Sequence, residues 1–181
     1  AYLYKKEIKK YNNIDEYKNI LEEETKDCKI HDIKVYGLDT ARVDLKINRG
    51  FTQDNYTEHS KDIAFFKPAY HAFISKNPFK LEKRDYPVEY NYPFSVQQIY
   101  SISIPENYTI NEIPESVKAR TPDGSMNYTY NITQLGNKIT LTIMLSTNKS
   151  LFLPNEYQTL KNFYQMIVDK QNELIILKPM E

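Results

Sequence analysis

The run Ile139-Thr140-Leu141-Thr142-Ile143-Met144-Leu145 constrains the fold of this chain more than any other segment. Its side chains alternate with period two, so a strand built from it buries Ile139, Leu141, Ile143 and Leu145 on one face and turns its threonines the other way. Leu135-Gly136-Asn137-Lys138 lies just upstream and carries the turn chemistry of a hairpin. A partner strand is therefore expected over residues 128–133, with another over 119–121 across the Pro122-Asp123-Gly124 turn.

The same period recurs elsewhere. Val88, Tyr90, Tyr92 and Phe94 alternate with polar residues, and Pro87 and Pro93 mark edges or bulges. Tyr100, Ile102 and Ile104 share one face of a further strand, although Gln98 and Ile99 interrupt its early part. Ile33 with Val35, Val43 with Leu45 and Ile47, Ile63–Phe66, Ala72–Ile74, Thr109–Ile113 and Leu174–Leu177 read as shorter strands. Tyr2–Ile8 reads as a strand, and residues 48–61 as loop or weak strand.

Helical spacing appears twice. Ile14, Tyr17, Ile20 and Leu21 predict a helix over Asp15–Lys26, with Asn12-Asn13 as its cap. Tyr157, Leu160, Phe163, Tyr164, Ile167 and Val168 form one apolar face of a terminal helix, with Asn155 as N-cap. The expected fold is mainly β (α+β), an antiparallel β-sandwich with an N-terminal and a C-terminal accessory helix. No Gly- or Ser-rich linker divides the chain, so residues 1–181 read as one β-rich domain, with sub-lobes 1–85 and 86–181.

Composition narrows the function. Lys+Arg and Asp+Glu balance at 24 each, which removes the long-range field that draws in nucleic acid or an anionic membrane. Apolar runs fall short of the roughly 20 residues of a membrane helix. Only 4 glycines argue against a phosphate-cradling loop. Asn-x-Ser/Thr triplets begin at Asn55, Asn107, Asn127, Asn131 and Asn148, as Asn- and Thr-bearing composition produces by chance. The opening Ala1-Tyr2-Leu3 reads as the start of a strand in a fragment cut from a longer chain.

The order Cys28, His71, Asp85 matches a thiol nucleophile, its base and the group that orients the base. The context does not match. Cys28 follows the C-terminal, negative end of the expected helix, whereas a reactive thiolate wants a helix N-terminus or nearby cations. A lone cysteine forms no internal disulfide and no thiolate-rich zinc site. His31, His59 and His71 lack the spacing of a metal signature. No catalytic residue, cofactor or metal is expected. The tyrosines Tyr86, Tyr90, Tyr92 and Tyr100 form the one candidate surface for a ligand or partner, set against ordinary cross-strand packing.

Asn77-Pro78-Phe79-Lys80, Arg84 and Tyr86-Pro87-Val88 stand in order with Ile104-Pro105-Glu106-Asn107-Tyr108 and Ile113-Pro114-Glu115-Ser116. Glu156-Tyr157, Leu160-Lys161-Asn162-Phe163-Tyr164 and Ile175-Ile176-Leu177-Lys178 complete the series. From about Ile30 onward this resembles the C-terminal region of bacterial transglutaminase-like proteins, where a domain of unknown function follows a papain-like core. Asn107 departs from the glycine of that pattern, but Asn tolerates a left-handed turn. The resemblance implies a non-catalytic structural or interaction module, with the Cys-His-Asp core upstream and the Cys28-His71-Asp85 order coincidental. It also implies an exported protein, periplasmic or outer-membrane-associated, of a Gram-negative bacterium. The upstream domain would be the first partner, with another protein or a glycan as others. A carbohydrate- or peptide-binding sandwich is the alternative function.

Overall fold

Period-two patterning becomes sheet through most of the computed structural model, which describes residues 2–11, 13–24, 28–40, 43–54, 56–60 and 62–180. The chain forms two compact units, Ala1–Tyr56 and Thr57–Glu181. This division falls upstream of the 85/86 boundary suggested by the sequence.

The first unit contains α1 (Tyr2–Ile8), α2 (Ile14–Glu24), β1 (Cys28–Tyr36) and β2 (Lys46–Gln53). The sequence expectation of a strand at Tyr2–Ile8 is corrected here to a helix. Lys5 and Ile8 are both buried, three apart on one helical face, and the Lys5 ammonium donates to the carbonyls of Thr40 and Val43. Asn13 caps α2, its Oδ1 accepting the Glu16 N–H at 2.8 Å. Asn12 and Lys26, which the sequence also assigned to the ends of this helix, lie outside the described residues.

β1 and β2 pair antiparallel from Cys28↔Gln53 to Tyr36↔Lys46, with an irregularity between Ile30 and Asp32. Residues 48–53, read from sequence as loop or weak strand, are thus paired strand. Val43 and Leu45 fall before β2, because Gly37 turns the chain at φ 73° and pairing resumes only at Lys46. Buried Ile30 and the packing of α2 on β1 give this unit its core.

The second unit holds β3 (Glu58–Ser60), β4 (Ile63–Phe66), β5 (Val88–Glu89), β6 (Phe94–Ser103), β7 (Tyr108–Glu112), β8 (Val117–Arg120), β9 (Met126–Leu135), β10 (Lys138–Thr147), β11 (Leu151–Phe152), α3 (Tyr157–Gln171) and β12 (Ile175–Pro179). One four-stranded antiparallel sheet runs β6-β10-β9-β8, and a second runs β3-β4-β12-β7. β5 and β11 form a two-stranded ribbon. The class is mainly β, with several antiparallel sheets.

β10 anchors the larger sheet. Ile139, Leu141, Ile143 and Leu145 are almost fully buried, and each such side chain contributes about 1.5–3 kcal/mol by leaving water. Met126, Tyr128, Tyr130 and Ile132 of β9 share that face through the register Leu145↔Tyr128 and Ile143↔Tyr130. The opposite face carries mostly Ser, Thr and Asn, with Met144 and Ile99 among them. The C-terminal end of helix α3 meets the apolar side: Gln171 donates to the Tyr128 hydroxyl, and the Lys170 ammonium lies 5.3 Å from the centre of the Tyr130 ring.

Three sequence expectations change in this unit. Ala72–Ile74 is not a strand. Of residues 86–94, only Val88–Glu89 and Phe94 are strand, because Pro87 and Pro93 each lack the N–H that a ladder needs. Asn155 does not cap α3. It sits in a single 3-10 turn, Pro154–Glu156, and the Glu156 carboxylate instead reaches back to the Leu153 N–H at 2.7 Å.

Candidate interaction surface

The four tyrosines singled out by the sequence occupy different environments. Tyr86 is 79% exposed and Tyr92 is 40% exposed, whereas Tyr90 and Tyr100 are half-buried. Tyr90 is committed to an aromatic cluster, edge-on to Phe94 at 5.5 Å and to Phe152 at 5.9 Å. Its hydroxyl meets that of Tyr164 at 2.9 Å, and burial holds both phenols above the ordinary tyrosine range. Phe79 extends the cluster edge-on to Tyr157 and Tyr164. Tyr100 stands in β6 opposite Leu141 of β10, on the apolar face of the sheet.

The thiol belongs to the first unit, and the imidazole and carboxylate belong to the second. Cys28 opens β1 of the first unit and is half-buried. His71 is exposed in the second unit, with φ 48° and its ring against Tyr70. Asp85 has a 79% exposed side chain that pairs with Lys83 at 3.3 Å. His31 shares a hydrogen bond with Thr52 across the β1–β2 hairpin, and His59 is exposed on β3. Among the described residues, no group of three His, Cys, Asp or Glu side chains is placed to hold a metal ion. Nor is any helix among them long and apolar enough to cross a membrane.

A groove of about 160 Å³ lies where Ile104, Tyr108, Ile110, Gln134, Asn137 and Met180 meet. It is smaller than the roughly 300–1,000 Å³ of most small-molecule sites. Its walls also spend their polar groups on each other. Asn137 Nδ2 donates to the Ile104 carbonyl at 3.3 Å, and Gln134 Nε2 to that of Gly136 at 3.2 Å.

Two polar arrangements escaped sequence reading. Asp123 Oδ1 accepts from the Ser125 N–H and from the Thr121 and Ser125 hydroxyls, and Lys149 bridges Asp123 and Glu156. The Ser125 N–H bond leads the causes that bring the Asp123 carboxyl down to about 2. Glu156 is also lowered, chiefly by Lys149. The Thr-Pro-Asp-Gly-Ser string that builds this turn was legible as a turn, but its reach to Lys149 was not. The second arrangement is Gln98. Its side chain accepts the Phe73 N–H and donates to the His71 carbonyl, both at 3.0 Å. That clamp lets a glutamine face inward, so Gln98 and Ile99 sit in an unbroken strand, and Ile99 points outward, 64% exposed.

No curated protein matches the chain. A crystal structure described as that of "a putative protease" from Parabacteroides distasonis is similar, with a TM-score of 0.52 and 20% identity over 64% of this chain. The chain spans 23% of the length of that protein, and the likeness is one of fold. Residues 62–177 match the family model described as a domain of unknown function with solved structure, DUF3858. The match takes in every strand from β4 to β11, helix α3 and most of β12, and the chain belongs to the DUF3858 family.

Proposed function

We propose that this chain is a non-catalytic structural or interaction module of a larger, exported transglutaminase-like protein of a Gram-negative bacterium. The observation that carries the reading is the state of Asp85. The carboxylate that would orient the His71 ring in a thiol triad is exposed and paired with Lys83. The similar solved chain is more than four times as long as its matched segment, which supports a place beside a separate catalytic domain. The resemblance of the Ile104-Pro105-Glu106-Asn107-Tyr108 and Ile113-Pro114-Glu115-Ser116 segments supports the transglutaminase-like parent and its periplasmic or outer-membrane setting.

In this reading the two four-stranded sheets form a sandwich, with Ala64, Phe66, Ile175 and Leu177 of one turned toward the β10 face of the other. Deleting residues 57–181 from the longer protein tests the assignment. Loss of soluble parent, or of its captured partner, is expected. A parent of unchanged stability and binding would refute it.

The exposed rings of Tyr86 and Tyr92 favour the second reading, a glycan- or peptide-binding surface. Tyr86→Ala with Tyr92→Ala would then abolish retention on a glycan or peptide array without lowering the melting temperature. Retention unaffected by the pair of substitutions would exclude it.

A further inference from the structure

Edge strands expose a row of unpaired amides, and proteins protect them by shortness, charge, proline or a bulge. Three of the four edges of the two four-stranded sheets are protected in this way. β3 is three residues long and carries Glu58 and His59. β8 has four residues, two of them Lys118 and Arg120. β7 has five, ends in Glu112 and meets β12 through a register shift. β6 has none of these features. It is ten residues long, Phe94-Ser95-Val96-Gln97-Gln98-Ile99-Tyr100-Ser101-Ile102-Ser103, without a charge or an internal proline. Its pairing to β10 is regular throughout.

The direction of each amide follows from the ladder. The Ile104 N–H donates to the Asn137 carbonyl at 2.8 Å, which sets the even-numbered residues toward β10. Antiparallel pairs alternate, so Ser95, Gln97, Ile99, Ser101 and Ser103 direct their N–H and C=O groups away from the sheet. All five are exposed, and none has a backbone partner outside the strand among the described residues.

This outward row is symmetric. Pro93 and Pro105 each stand six residues from Ile99, and each falls where the next outward N–H would be. A proline has no N–H to donate, so the row of donors ends at Ser95 on one side and Ser103 on the other. We propose that β6 pairs antiparallel with β6 of a second copy of this chain, the two-fold axis passing through Ile99. In that register Ile99 meets Ile99, Gln97 meets Ser101, Ser95 meets Ser103, and the prolines stand opposite one another beyond both ends. All five outward N–H groups of each copy then find carbonyls. Ile99, the one large apolar side chain on the outer face of β6, packs on its own image.

Charge agrees with this occupant. Strand β6 carries no ionised side chain, and the chain has a formal net charge of +0, so no net charge repels a second copy. Lys118 and Arg120 on the opposite edge stop further addition, so the assembly closes at two copies with one continuous sheet.

The inference goes beyond the module reading and is tested independently of it, since oligomeric state is measured without any assay of chemistry. Sedimentation equilibrium of the whole chain is expected to show a reversible dimer. Ile99→Lys sets two ammonium groups on the axis, and Ser101→Pro removes an outward donor without touching the β10 ladder. Each is expected to give a monomer with an unchanged far-ultraviolet spectrum. Should Ser101→Pro fail to fold, hydrogen exchange in the parent chain supplies the second measurement, with the Ile99 and Ser101 amides protected at high concentration and exchanging at low. A chain that stays monomeric, a dimer that survives Ile99→Lys, or pairing only with a foreign extended peptide would each overturn the proposal.

Discussion

The hydroxyls of Tyr90 and Tyr164 lie 2.9 Å apart and join the segment leading into β6 to the buried face of α3. That one bond ties an irregular, proline-bounded stretch to the longest helix among the described residues. Removing either hydroxyl leaves the other buried without its partner, so Tyr90→Phe and Tyr164→Phe should each cost about 1 kcal/mol. The double substitution should add little to either single one. Urea unfolding of the four proteins checks this as a double-mutant cycle. Additive losses would mean that the two hydroxyls do not act together.

Tyr130 should behave in the opposite way. Its hydroxyl is buried with no hydrogen-bond partner among the described residues, while its ring packs in the core under Lys170. Tyr130→Phe removes an unsatisfied polar atom and keeps the ring. Stability should hold or rise by up to about 1 kcal/mol, because the buried hydroxyl gives up its hydration for no bond. A clear loss in a thermal melt would mean that the hydroxyl has a partner after all.

Asp123 makes stability depend on acid. Its carboxyl is held down at about 2, chiefly by the Ser125 N–H, against an ordinary value of 3.8. A depressed folded-state value adds stability above pH 3.8, and that stability is lost as pH falls through 2. The side chain is 45% exposed, so screening keeps the effect of Asp123→Ala to about 1 kcal/mol at neutral pH. Wild type and variant should converge in denaturation midpoints measured from pH 6 down to pH 2. A constant gap would show that the turn is held by packing rather than by the ionised carboxylate.

Legibility from sequence followed the physics of each segment. The β9–β10 hairpin was readable because turn chemistry at Gly136-Asn137 and strict alternation over Ile139–Leu145 agree. The apolar face of α3 was readable for the same reason, six apolar side chains at helical spacing. Tyr2–Ile8 misled because Tyr, Leu and Ile suit strands, while the burial of Lys5 beside Ile8 depends on carbonyls some 35 residues away. Gln98 looked like an interruption because its partners, His71 and Phe73, come from a loop with no sequence signature. The separate environments of the four tyrosines were not legible. Composition marks rings but does not say that Tyr90 turns in to Tyr164 while Tyr86 stays in solvent.

The proposed non-catalytic role is tested most directly by replacing Cys28, His71 and Asp85 together with alanine in the proposed transglutaminase-like parent and measuring kcat/KM for the parent's substrate. A value within about twofold of the unaltered protein is expected. A fall of roughly a thousandfold or more, the scale of losing a nucleophile and its base, would contradict it.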